Sequence, residues 1–167
     1  MIVENLKLNE NVIAVITKKN GAKKVIKAKN IVGDEGDKYY AQRSCGEAPT
    51  NTFANVILGT GSIAATKGDD YNDLTPISGS EKAPSSGYPK TNDLDPDNTG
   101  GGVDVITWKY EWAGADFSDT AIQEGIITKA SPTTGDPILT RWVWGSAFAK
   151  DVDTTLKLFV NHTANGV

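Results

Sequence analysis

From Val103 to Trp112 apolar and polar side chains alternate. Ile106, Trp108, Tyr110 and Trp112 fall on one face and Thr107, Lys109 and Glu111 on the other. A period of two is that of a β-strand with one buried face. The pattern returns near the end of the chain, where Leu156, Leu158 and Val160 alternate with Lys157, Phe159 and Asn161. Phe53–Leu58, Thr120–Lys129 and Ile138–Trp144 read as further strands, with a turn at Ser131–Pro137. No helical pattern of about ten to fifteen residues alternates with them, which disfavours a parallel α/β sheet. The expected fold is mainly β: an antiparallel β-sandwich or barrel with an N-terminal β-hairpin arm and one short helix.

The hairpin has its own signals. Val12–Thr17 is apolar and largely β-branched, Asn20-Gly21 predicts a type I′ turn, and Lys23–Lys29 returns. The expected division is an arm at 1–32 and a sandwich domain at 33–167. Gly33–Asp37 breaks the strand, and Asp37–Arg43 is expected to make one or two helical turns, stopped before Gly46 and Pro49. Residues 79–102 carry almost nothing apolar. A polar loop of that length is expected to face solvent or to pack on a neighbour.

Charge follows the same division. Residues 1–43 hold nine Lys or Arg against five acids, and residues 44–167 hold eight against sixteen. Lys18, Lys19, Lys23, Lys24, Lys27 and Lys29 make the N-terminal part basic, which suits docking on an acidic surface or on another copy. The bland alternative is a solvated face whose lysines blunt a sheet edge. The net charge of −4 disfavours a generic nucleic-acid binder. A single cysteine rules out an intrachain disulfide framework and a Cys-rich zinc site. Cys45 is expected to be a buried small hydrophobe or an inert thiol. No run of eighteen apolar residues or signal-peptide pattern is present, so no membrane partner is expected.

Several motifs have both a chemical and a structural reading. Gly59-Thr60-Gly61-Ser62-Ile63-Ala64 fits a dinucleotide fingerprint, but Gly68 and Asp69-Asp70 leave no room for the helix that would hold a pyrophosphate. A tight glycine turn is expected instead. Asp93, Asp95 and Asp97 have the one-three-five spacing of a calcium loop. Asn98 replaces the turn glycine there, and a solvated acidic loop competes with the metal reading. The single histidine, His162, ends the last strand and reads as packing rather than catalysis. Glu124 lies inside an apolar stretch, as a hydrogen-bonded structural carboxylate would. Trp108, Trp112, Trp142 and Trp144 suit the core or a subunit interface, with a sugar-stacking platform as the alternative. No catalytic residue, cofactor or small-molecule substrate is expected.

Taken in order, four fragments resemble a group of tailed-bacteriophage virion proteins. They are Asn55–Gly61 with its Gly-Thr-Gly turn, the Val105–Trp112 strand, Ile122–Ile127 with Glu124-Gly125, and Ile138–Arg141. Asn30–Gly36 resembles the stretch before a short helix in such proteins. The resemblance implies a non-enzymatic β-sandwich in the virion. On this reading the protein is a decoration or cement protein on the capsid surface, with a tail, collar or fibre component as the alternative. It also implies the major capsid protein and other copies, as a trimer, for partners.

Overall fold

The computed structural model describes residues 11–163, and two antiparallel sheets packed face to face dominate it. The first sheet holds β1 (Val12–Lys18), β2 (Lys23–Ala28), β5 (Lys90–Thr91), β6 (Val105–Trp112) and β9 (Thr154–Thr163), in the order β2-β1-β9-β6-β5. The second holds β3 (Asn30–Val32), β4 (Asn55–Gly59), β7 (Asp119–Thr128) and β8 (Ile138–Lys150), in the order β3-β8-β7-β4. Both sheets keep open edges, so the sandwich alternative holds and the barrel does not.

The expected alternation sorts the core. Val12, Ala14, Ile16, Trp108, Tyr110, Trp112, Leu156, Leu158 and Val160 face inward from the first sheet. Val56, Leu58, Ile122, Ile127, Leu139, Trp142, Trp144 and Phe148 meet them from the second. Fully burying each large apolar side chain is worth about 1.5–3 kcal/mol.

The described part of the expected arm, residues 11–32, is built into both sheets and is not separable from them. The hairpin forms, but β1 lies between β2 and β9, with Val12 opposite both Ala28 and Val160. Lys29 is the corner where the chain leaves the first sheet, and β3 pairs with β8 in the second. The reason is burial: Val12, Ala14 and Ile16 are at most 5% exposed and need an opposing sheet to cover them. Residues 1–10 and 164–167 of the two expected domains lie outside the described residues. The turn also differs from type I′, which needs positive φ at both central residues. Only Gly21 has it, at +82°. Gly21 N–H donates to Lys18 O and Lys18 N–H to Ala22 O, which is a type I turn closed by a glycine bulge.

The helix, α1 (Asp34–Ser44), is longer than expected. Asp34, Glu35 and Asp37 in its first turn and Arg43 in its last complement the helix dipole. Gly46, at φ +73°, ends it, with Gly46 N–H donating to Arg43 O and Glu47 N–H to Gln42 O. Gly36 lies against Leu139 O with no room for a Cβ. Cys45 beside the helix end is exposed, not buried.

Two long connections fold back onto the sheets. Residues 60–82 run beside β4 on the second sheet, where Leu74 packs on Ile57, Ile126 and Ile138. Residues 85–101 cover part of the first sheet. The 79–102 segment therefore packs on its own molecule: Lys82 pairs with Val56, Ser85 N–H donates to Lys109 O, and β5 pairs with β6.

Candidate functional site

Three of the fragments behind the resemblance meet at one point. Glu124 on β7 is fully buried, and its Oε1 accepts from Gly61 N–H at 2.7 Å and Thr75 N–H at 2.8 Å. Its Oε2 accepts from Arg141 Nη2 at 2.7 Å. Arg141, from β8, also donates to Asp69 at 2.8 Å and to Ile63 O at 3.0 Å. A Cβ on Gly59 or Gly61 would run into the Glu124 side chain. Gly125 is similarly bare because the Trp142 ring occupies the space a Cβ would need. Each motif residue thus has a packing reason: glycines for close approach, a carboxylate for two orphan N–H groups, and a guanidinium for the buried charge. Burial lowers the pKa of Arg141, but Glu124 and Asp69 outweigh it and raise it. The Gly-Thr-Gly segment is not the expected tight turn: Gly59 ends β4, Thr60 N–H donates to Thr75 O, and neither glycine has a positive φ.

The acidic loop is anchored by lysines. Asp93 accepts from Tyr88 Oη at 2.7 Å and Asn98 Nδ2 at 2.9 Å, and pairs with Lys90 at 3.2 Å. Asp95 pairs with Lys109 at 3.0 Å, and Asp97 with Lys157 at 2.9 Å and Lys23 at 2.8 Å. Buried Asn98 exchanges hydrogen bonds with Asn161, which accepts from Thr107 at 2.7 Å. Burial acts to raise Asp93 and Asp95, but Asn98 and Tyr88 on the first, and Asp97 N–H and Lys109 on the second, hold them below the usual carboxylate range. Lys23 and Lys157 do the same for Asp97. The calcium spacing of Asp93, Asp95 and Asp97 therefore does not build a cage: their oxygens face ammonium groups. Among the described residues no group of three His, Cys, Asp or Glu is placed to hold a metal.

The four tryptophans are 0–1% exposed, so none presents a face to a sugar or a partner. Trp108, Trp112, Trp142 and Trp144 belong to the core, and their placement as interface residues is corrected. Trp112 Nε1 donates to Ser80 O at 2.9 Å, and Trp142 stands edge-on to Trp144. Trp108 Nε1 donates to Tyr40 Oη at 3.0 Å, and that hydroxyl is also hydrogen-bonded to His162 Nδ1. Burial lowers the pKa of His162 to about 3, so the ring is neutral, and the Tyr40 hydroxyl ties α1 to both β6 and β9. Sequence reasoning missed Tyr40. Its only signal was an aromatic pair, Tyr39-Tyr40, on an otherwise polar helix.

Lys18, Lys19, Lys23, Lys24, Lys27 and Lys29 are all exposed. Lys19 pairs with Asp153 and Lys23 with Asp97. Lys18, Lys24, Lys27 and Lys29 make no ion pair among the described residues. Of the expected site residues, these four stand ready for a partner.

Compared with protein-family models, curated proteins and solved structures, the chain has no match.

Proposed function

We propose that the protein is a non-enzymatic structural component of a tailed-bacteriophage virion, a decoration or cement protein that binds the head shell and stabilises it. The Glu124 node carries this reading. The Gly-Thr-Gly segment, the Glu-Gly pair and Arg141 were separate fragments of a resemblance, and they act together as one clamp. That use fits a pattern describing a β-sandwich scaffold rather than a reaction centre. The unpaired lysines around β2 supply the surface that meets the shell. A symmetric oligomer, a trimer at three-fold positions, belongs to the same proposal and is read from the sedimentation mass.

The test mixes the purified protein with undecorated capsids and with separate tails, sediments each, and counts bound copies. Saturable capsid binding at a few copies per capsomer supports the proposal. Binding only to tails replaces it with the tail, collar or fibre role. Binding to neither removes the virion reading.

A further inference from the structure

Two sheet edges in this fold are closed or very short, those beyond β4 and β6. Residues 75–82 cover β4: Val56 exchanges hydrogen bonds with Lys82, and Ile77 N–H donates to Leu58 O. Beyond β6 lie Ser85 and the two residues of β5. β3 offers three residues and covers only Thr140, Arg141 and Trp142 of β8, whose residues 143–150 have no strand on that side among the described residues and run past the cavity beside β2. β2 has six, and no backbone group in it bonds outward among the described residues.

Its polarity follows from the register. Lys18 N–H donates to Ala22 O across the hairpin, while Lys19 N–H turns the other way to Asp153 O. Alternation then directs the backbone groups of Lys24, Ile26 and Ala28 to β1, and those of Lys23, Val25 and Lys27 outward. A cavity of 480 Å³ opens beside this edge. Ile16 and Phe148 line its apolar part, and Lys18 and Lys24 stand among its other walls.

We propose that β2 is a docking strand for an extended acidic segment of a partner protein. The segment adds to the outward groups of Lys23, Val25 and Lys27, and one apolar side chain enters the cavity. Its carboxylates meet Lys18, Lys24, Lys27 and Lys29. Edge lysines repel a basic strand and attract an acidic one, so they select the occupant as well as discourage indiscriminate pairing. They also disfavour β2 of a second copy, which would set lysine against lysine. The virion reading enters only in naming which protein carries the segment.

The probe is a synthetic peptide of alternating glutamate and valine, added to the full-length protein and followed by amide hydrogen exchange. The expected result is slowed exchange at Lys23, Val25 and Lys27, with Lys24, Ile26 and Ala28 unchanged. The double variant Lys24→Glu/Lys27→Glu weakens the peptide about tenfold or more, and backbone N-methylation of the peptide abolishes binding. Both substituted side chains are exposed, and retained protection at Leu158 and Val160 shows that the variant is folded. Unchanged exchange at the three outward amides, protection without alternation, or equal binding of a lysine–valine peptide overturns the proposal. Capsid binding without peptide binding removes the docking strand and leaves the virion reading. Peptide binding without capsid binding does the reverse.

Discussion

Glu124→Ala removes the counter-charge of a buried guanidinium and the acceptor of two backbone N–H groups in one step. Arg141 is 2% exposed, so water cannot replace the lost carboxylate. Breaking a buried ion pair from one side costs about 3–5 kcal/mol. The orphaned N–H groups of Gly61 and Thr75 fall within that figure rather than adding to it. Asp69 stays 2.8 Å from Arg141 and keeps part of the pairing, which places the loss at about 3–4 kcal/mol. Glu124→Gln keeps an oxygen for Gly61 and Thr75 but turns an amide N–H toward Arg141, for a loss of about 2 kcal/mol. Urea unfolding reads both. With a slope of about 2 kcal/mol per molar, the midpoint drops by about 1.5–2 M for Ala and about 1 M for Gln. Amide exchange at Gly61 and Thr75 should accelerate most in the Ala variant. A midpoint shift below about 0.5 M for Ala, or a Gln variant as unstable as Ala, would refute the reasoning and rank this pair with exposed ones worth about 0–1 kcal/mol.

Deleting residues 1–32 removes β1, β2 and β3, and no folded protein should result; a cooperative melt from the remainder would show that β1 is dispensable. Gly125→Ala drives a methyl group into the Trp142 ring and should cost about 1–3 kcal/mol by thermal melting, with altered tryptophan fluorescence. The carboxyls of Asp93, Asp95 and Asp97 titrate below their ordinary 3.8 when folded. Their contribution is therefore present above the unfolded pKa and lost as pH falls through the folded values. Proteolysis should cut residues 85–101 faster below about pH 3 than at pH 6, while β6 and β9 stay protected; equal rates at both pH values would contradict the lysine clamp. Calcium should leave the melting temperature unchanged, because lysines already occupy those carboxylates.

Legibility followed the range of the interactions. Alternation located β6 and β9, and a β-branched run with its Asn20-Gly21 turn located β1 and β2, each to within a few positions, because these signals lie in neighbouring residues. β3 and β5 have three and two residues, too few to show a period. The helix was shortened because its acidic first turn reads as a breaker until the dipole is considered. At the site, the lysines were correctly placed on the surface. The tryptophans were placed too generously, since alternation identifies a buried face without saying whether the same chain or another covers it.

The sequence by itself determined the mainly β class, the inward faces of the long strands, and the lysine run at the hairpin. Its composition also set a single thiol and a single imidazole. Tertiary structure alone decided that the hairpin joins the core, that the long polar loop folds onto its own sheet, and that Asp93, Asp95 and Asp97 face lysines. It also brought Gly61, Asp69, Glu124 and Arg141 together. The physical reason is distance along the chain: Asp69 and Arg141 are 72 positions apart, and Lys157 and Asp97 are 60 apart. No local period encodes such pairs, and only the packing of the two sheets closes them.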